Sequence, residues 1–566
     1  MASSAGRPPA VYSSFQDLPR RQVIGTMIGL MTALFLASLD QTIVATALPR
    51  IVAELQSFEH YAWVATAYLV ASTATAPIVG KLTDLYGRKP FFLGGVGLFL
   101  VASALCGVSQ NMTQLVLLRG VQGIGAGAIM ANAFTVIGDL FPPAERGKYQ
   151  GLLAAVFGLS SVIGPAVGGY LTDSFSWRWV FFVNLPVGAV ALVLLLALFP
   201  DIRPNRVHRG IDVLGACTLV ASVVPLLLAL SWGGALYPWT SPIVLGLFVL
   251  ALVMGVAFVL IERVAPEPIL PLDLFRNRSV TIALLAASLT AVAMFGALLF
   301  ITLYLQAVVG VSATASGTIL APMMFVMVGA AGAAGQITAR SGRYKPLFLS
   351  GLALVTVGMF LLSQLGAHSS YNATLLDLLV IGLGLGLTMP IFTLIVQNSV
   401  PYSRLGVATS VTQFFRSIGG TLGAAVFGSV MTNRFASAFS ANLPVDVRAA
   451  VPSERLAEFQ NPQALLDPQL SSRLFDLFLP LGEQGPQLLD SFTRTIRESL
   501  ASALSEVFLA GAVVVGLALV AAIFLPEVPL RKTHQRDPEA PTEPNPITAA
   551  PAERAQPQDL VRPGRG

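Results

Sequence analysis

The chain has 566 residues, of which 54% are hydrophobic and only 11% charged, and its mean hydropathy is +0.73. A soluble globular domain carries about 25% charged residues, so water is excluded as the solvent for most of this surface. The net charge of +5 and the pI of about 9.3 do not point to nucleic acid, because the basic residues collect in loops on one side of the apolar segments.

A helix needs roughly 20 mostly apolar residues to cross ~30 Å of hydrocarbon. Fourteen stretches qualify, in chain order Ile24–Leu48, Tyr61–Val79, Phe91–Val108, Leu115–Ile137, Leu152–Leu171, Trp179–Phe199, Val213–Trp232, Ile243–Ile261, Val280–Val308, Ile319–Ile337, Leu347–Leu365, Leu375–Val396, Val407–Met431 and Phe508–Leu525. The fold class is therefore an all-α polytopic membrane protein. The ninth stretch is long enough to tilt or bend. With both termini cytoplasmic, 20 basic residues from Arg20 to Arg536 fall on the inner side, and the short outer loops carry only Arg50 and Arg178. This asymmetry predicts an inner-membrane protein with both termini in the cytoplasm. Cys106 and Cys217 both fall inside spans, which excludes a disulfide framework or a CxxC metal site. The first apolar stretch is a full span behind a polar, basic segment, so no cleavable signal is read.

The chain repeats itself. Gly80-Lys-Leu-Thr-Asp84-Leu-Tyr-Gly87-Arg88, after span 2, returns 255 residues later as Gly335-Gln-Ile-Thr-Ala339-Arg-Ser-Gly342-Arg343, after span 10. Gly151, Gly164 and Gly168 of span 5 return at the same offset as Gly406, Gly419 and Gly423 of span 13. Gly123, Gly125 and Gly127 of span 4 return 259 residues later as Gly382, Gly384 and Gly386 of span 12. Spans 1–6 and 9–14 are thus equivalent six-helix bundles, with spans 7 and 8 as two inserted linker helices. Parallel halves related by an axis along the membrane normal are the plan of a secondary transporter, with its site between the halves.

The implied division is a cytoplasmic tail 1–22, a first bundle 23–200, a two-helix linker 201–275, spans 9–13 over 276–431, an external insertion 432–503, span 14 over 504–526 and a disordered cytoplasmic tail 527–566. Within the insertion, Leu488, Phe492, Ile496, Leu500 and Leu504 form an apolar helical stripe after Pro486, which predicts a helix running into span 14. Ser453–Leu466 and Pro468–Leu479 read as shorter amphipathic helices. The tail is rich in Pro, Glu and Ala.

Five motifs stand in order on matching spans: Leu39-Asp40-Gln-Thr-Ile-Val-Ala-Thr-Ala-Leu-Pro49; Gly80-Lys-Leu-Thr-Asp84-Leu-Tyr-Gly87-Arg88-Lys89; Leu118-Arg119-Gly-Val-Gln122-Gly123; Gly158 followed by Gly164-Pro165-Ala-Val-Gly168-Gly169; and Trp177-Arg178-Trp-Val-Phe-Phe-Val-Asn184-Leu-Pro186. With them the chain resembles the major facilitator superfamily, and within it the 14-span drug:proton antiporters of the QacA and EmrB type. The resemblance covers about Leu39 to Met431 plus span 14. It implies proton-coupled efflux of amphipathic or cationic small molecules, with a role for Asp40 and Arg119 in proton coupling and cationic substrates. It also implies a gating latch at Gly80, Asp84, Gly87, Arg88 and Asp139, and an export motif at Gly158, Gly164, Pro165, Gly168 and Gly169.

The residues themselves support separate readings. A charge inside a span is costly and faces a bundle interior or a watery cavity. Asp40 lies nine residues before Pro49 and Arg119 eight residues after Asn111, so at about 1.5 Å per residue both reach the same depth. They form either a proton switch or a static ion pair that locks two helices. Glycines permit the sharp turn at Gly87, Asp84 is placed to accept from a helix N-terminus, and Asp139 is placed to pair with Arg88; a plain basic topogenic loop is the alternative. The span 5 glycines and Pro165 either shape export or serve ordinary helix packing. Arg416 falls near the midplane of span 13, to contact a substrate or neutralise a carboxylate. Gln122, Asn132, Gln306, Gln397 and Gln413 are candidate cavity polars, and Phe295, Phe300, Tyr304, Met323, Met324 and Met327 suit adaptable apolar ligands.

Nothing supports an enzyme. The histidines (His60, His208, His368, His534) lack ligand spacing, there is no Walker loop, and Gly123-x-Gly125-x-Gly127 lies inside an apolar span rather than after a strand. No cofactor is expected beyond the proton gradient as energy source. Expected partners are membrane lipids, protons, small hydrophobic or cationic substrates and an envelope or periplasmic partner at 432–503, and no nucleic acid. The rival functions are export of a lipid or endogenous metabolite, suggested by the insertion, and a non-transporting receptor or scaffold, which would not need Asp40 and Arg119 in the bilayer.

Overall fold

The computed structural model describes residues 18–55, 61–201, 210–234, 236–311, 313–367, 369–452, 456, 478 and 484–530. Lipid offers the backbone no hydrogen-bond partners, so each crossing must satisfy its own N–H and C=O groups as a helix. Among the described residues, fourteen helices are long and apolar enough to cross: Arg20–Leu55, Trp63–Tyr86, Arg88–Gly107, Met112–Leu140, Pro143–Ser174, Trp179–Leu198, Val213–Trp232, Pro242–Glu262, Arg278–Val308, Ile319–Ser341, Lys345–Ser363, Tyr371–Asn398, Tyr402–Asn442 and Gly485–Ile523. They are spans 1 to 14. Polar side chains cap the starts of several; Asn111 accepts from the Gln114 N–H at 2.9 Å and Ser370 from the Ala373 N–H at 3.3 Å. Span 9 ends in a π-helical turn, Tyr304–Val308.

The helices outrun their apolar windows. Span 1 begins at Arg20 rather than residue 23 and carries on through Pro49 to Leu55, and span 5 begins at Pro143 rather than Leu152. Span 13 continues to Asn442, past the boundary drawn at 431, and span 14 is one helix from Gly485, so the boundary at 503 disappears. Hydropathy registers only the part of a helix that meets hydrocarbon, and amphipathic extensions escape it. The short helices expected at Ser453–Leu466 and Pro468–Leu479 lie almost wholly outside the described residues, as do most of both tails.

Packing repeats as the sequence does. In the first half span 4 packs on spans 2 and 3, span 1 on spans 5 and 6, and span 3 on span 6; in the second half span 12 packs on spans 10 and 11, span 9 on spans 13 and 14, and span 11 on span 14. The most extensive joints between the halves pair span 5 with span 10 and span 2 with span 13, and span 12 also meets span 5 as span 4 meets span 13. Leu18 and Leu530 fall on one face, the tail face, and residues 443–452 on the opposite, insertion face. The joints between the halves crowd toward the tail face. A Cβ on Gly80 would sit 2.1 Å from Ser410 Oγ, and one on Gly147 would sit 2.9 Å from Gly335 Cα. Spans 7 and 8 pair with each other, and span 7 leans on spans 2 and 13. Beyond span 8, Glu267 binds Lys81 of span 2 at 2.6 Å and Asp273 binds Arg404 at the start of span 13.

Within the first half, spans 3 and 4 touch backbone to backbone: a Cβ on Gly125 would meet the Phe99 nitrogen at 2.7 Å and the Gly95 carbonyl oxygen at 2.8 Å. Backbone cannot step aside as a side-chain tip does. Gly125→Val is expected to destabilise the protein by about 1–3 kcal/mol, whereas Gly94→Ala, which meets nothing within 4 Å, should leave stability unchanged or slightly raised. Thermal unfolding of the detergent-solubilised protein checks both.

Candidate functional site

Spans 1, 4 and 6 bring one buried network together inside the first half. Asp40 is fully buried and Arg119 is 2% exposed. Arg119 Nη1 donates to Asp40 Oδ2 at 2.5 Å and to Gln122 Oε1 at 2.9 Å. The other carboxylate oxygen, Oδ1, accepts from Gln122 Nε2 at 2.9 Å and Asn184 Nδ2 at 2.8 Å. Asn184 also donates to Ser103 Oγ at 3.0 Å. The guanidinium carbon lies 4.3 Å from the centroid of the Tyr68 ring, and the Tyr68 hydroxyl donates to the Ala37 carbonyl at 3.1 Å. The charge on each partner is thus matched, and both carboxylate oxygens are occupied, which is the condition for a buried pair to be tolerated.

Depth reasoning brought Asp40 and Arg119 together and named Gln122 as a cavity polar. Asn184 stands in the last of the five motifs with no role assigned to it, and Tyr68 is not singled out. Asn184 carried a signal: it is a lone amide within the apolar run Trp179–Leu198, where an unsatisfied amide is costly.

The second cluster sits on the seam at the tail face. Asp84 Oδ1 accepts from the Gly406 N–H at 3.0 Å and Oδ2 from the Val407 N–H at 2.8 Å, so a carboxylate of the first half caps the first turn of the helix Leu405–Asn442 in the second. Arg88 binds Asp84 at 2.6 Å and Asp139 at 2.9 Å, and donates to Thr83 Oγ1 at 2.7 Å. Gly87 takes φ of 96°, a left-handed conformation that lets span 3 start immediately after span 2. Gly406 has no room for a Cβ, which would lie 2.5 Å from Asp84 Oδ1 and 2.8 Å from the Gly80 carbonyl oxygen. Beside it Gln397 of span 12 donates to the Phe134 carbonyl at 3.2 Å and to Thr409 Oγ1 at 3.0 Å, and accepts from Arg146 and Gln150 of span 5.

Span 5 carries the remaining candidates. A Cβ on Gly164 would lie 1.9 Å from Thr42 Oγ1, and one on Gly168 would lie 2.2 Å from Thr46 Oγ1, so both glycines grip span 1 just past Asp40. Pro165 is exposed within the helix and Gly169 meets nothing within 4 Å. Gly158 faces Val328 and Met324 of span 10. Arg416 stands apart: its Nη1 lies 3.7 Å from Met389 Sδ and its guanidinium 5.9 Å from the Phe134 ring centroid, with no carboxylate in ion-pair range among the described residues. Asn132 turns back to its own helix, donating to the Ala128 carbonyl at 2.9 Å. No group of three metal-ligating side chains occurs among the described residues.

Two pseudo-symmetric six-helix halves, sealed to each other at one face and holding a buried charge network in one core, define a membrane transporter. The chain belongs to the Major Facilitator Superfamily, whose family model matches residues 30–424. It is 41% identical over 511 residues to the Bacillus subtilis multidrug transporter protein MdtP, covering 90% of this chain and 94% of that one. It is 37% identical to the Bacillus subtilis multidrug resistance protein 3, over 90% and 96% of the two chains. The human organic anion transporter MFSD10 shares the fold, with a TM-score of 0.56 at 14% identity, over 88% of this chain and 100% of that one. The family comprises transporters, not enzymes, and the protein is a multi-pass membrane protein.

The Asp40 network is testable as a thermodynamic cycle. Arg119→Met strands a buried carboxylate and should cost about 3–5 kcal/mol of stability; adding Asp40→Asn should restore a large part of it. Thermal unfolding of the two single variants and the double variant gives the coupling.

Proposed function

We propose that this chain is a proton-coupled antiporter that exports amphipathic or cationic small molecules by alternating access. It takes them up at the tail face, in the cytoplasm, and releases them at the insertion face of the inner membrane, with the proton gradient as energy source. The observation that carries the reading is Asp40, a fully buried carboxylate whose donors come from spans 4 and 6. The multidrug names of the Bacillus subtilis relatives support the substrate class. A proton on Asp40 removes the charge that holds Arg119 and loosens span 1 from span 4. Span 1 is clamped to span 5 by Gly164 and Gly168, and span 5 meets span 10 across the seam at Gly147, so the change reaches the joint between the halves. Arg416, in the inter-half space above the seal, contributes a polar contact to the substrate. The close contacts between the halves at Gly80 and Gly147 support a tail face that is closed in the geometry described. No feature of the described insertion residues points to an envelope partner, and none is assigned.

Asp40→Asn is expected to abolish proton-driven transport of ethidium in proteoliposomes while leaving substrate counterflow, which needs no net proton movement. Wild-type proton-driven rates in the variant would sink the assignment.

Breaking the latch should shift the conformational balance. In a background lacking Cys106 and Cys217, Asp84→Ala or Arg88→Ala is expected to make single cysteines in the seam more accessible from the cytoplasm and to slow transport, and Ala339→Asp to do neither. Unchanged accessibility in both latch variants favours a topogenic role alone.

A further inference from the structure

The second half holds a carboxylate that neither the latch nor the Asp40 network uses. Asp377 lies on span 12, seven residues past the Ser370 cap and so about 10 Å from the helix start. It is 7% exposed. No hydrogen bond or ion pair reaches its carboxylate among the described residues. The side chains beside it on span 12, Leu378 and Ile381, line an apolar cavity with Met294, Ile301, Met323 and Met359. Span 11 offers Gly358, whose Cβ would lie 3.4 Å from the Asp377 carbonyl oxygen. Span 9 offers Tyr304, within electrostatic reach of the carboxylate, with its hydroxyl donating to the Gly366 carbonyl at 2.9 Å. On its own helix the Thr374 hydroxyl is committed to the Ser370 carbonyl. No cation faces Asp377 from the described parts of spans 9, 10, 11 or 12; His368, on the adjoining loop, lies outside the described residues.

A lone charge in such surroundings is costly, and neutralising it with a proton removes the cost. Asp40 is different, because three donors from spans 4 and 6 hold its carboxylate. The covering element is also unusual. Tyr304 opens the π turn Tyr304–Val308, and single π turns are wide segments that recur at functional sites. Ser370 repeats Asn111 at the 259-residue offset, which places Asp377 in the register of Leu118, next to that of Arg119. The two halves therefore each put an ionisable group at the same depth, paired in one and bare in the other.

We propose that Asp377 is a second proton-carrying carboxylate, which takes one proton onto an Oδ from the insertion face and gives it up to the tail face once per cycle, and does so only while Asp40 titrates, so that Asp40→Asn still abolishes proton drive. This rests on the antiport reading. Only an O–H bond forms and breaks, and the proton is the sole species moved. The test uses the full-length protein in liposomes with the membrane potential clamped and a tenfold proton gradient. Each coupled proton contributes one factor of the gradient, so two protons support about 100-fold ethidium accumulation and one about 10-fold. The wild type should reach the higher plateau, Asp377→Asn the lower, and Asp377→Glu should recover the higher. A plateau unchanged in Asp377→Asn overturns the proposal. A wild-type plateau at the lower value that Asp40→Asn abolishes overturns it too, while leaving antiport intact; no accumulation by the wild type overturns both. Should Asp377→Asn fail to fold, a hydrophobic carbodiimide, which attacks protonated buried carboxyls, is applied to the wild type. Labelling of Asp377 that fades as pH rises supports the proposal, and no labelling overturns it.

Discussion

Gly406 and Val407 open a helix with backbone N–H groups that have no acceptor within it, and Asp84 of the other half supplies both. A helix capped from another domain makes the seam part of the helix's own hydrogen bonding. Left buried and unmade, each such bond costs roughly 1–3 kcal/mol, so the halves separate at this point only where water replaces the carboxylate. The buried Arg88, fixed to both Asp84 and Asp139, keeps the cap aimed. The side-chain-free surfaces of Gly80 and Gly406 let the two backbones come close enough for the cap to reach.

The internal symmetry explains why the second half does not repeat this device among the described residues. Gly335 stands where Gly80 does and packs on Gly147 of span 5, as Gly80 packs on span 13. Gly151, the counterpart of Gly406, is not at a helix start, because span 5 begins two turns earlier at Pro143. Its N–H is already bonded within the helix and no carboxylate is required. Ala339 in place of an aspartate is what that geometry asks for.

Much of this was legible in the sequence. The six-two-six plan came from apolar length and from glycine offsets, and both are direct consequences of helices in lipid packing through small residues. Asp40 and Arg119 were paired by counting rise along two helices. What escaped was set by tertiary placement. Asp84 could be assigned to a helix start, but not to that of span 13, more than 300 residues away. Tyr68 under Arg119 looked like any aromatic in a span. Asp377 went unread because it sits close to the beginning of an apolar run, where a charge resembles an interfacial one; only its burial distinguishes it.

The segment after span 8 grips both sides of the seam, through Glu267 on Lys81 and Asp273 on Arg404. Between these two anchor points the chain advances six residues, which at full extension span about 20 Å. Spans 7 and 8 therefore act as the fixed end of a leash. It sets an upper limit on how far span 2 and span 13 travel apart before one ionic grip must let go, a bound on stroke length that the two halves alone do not impose.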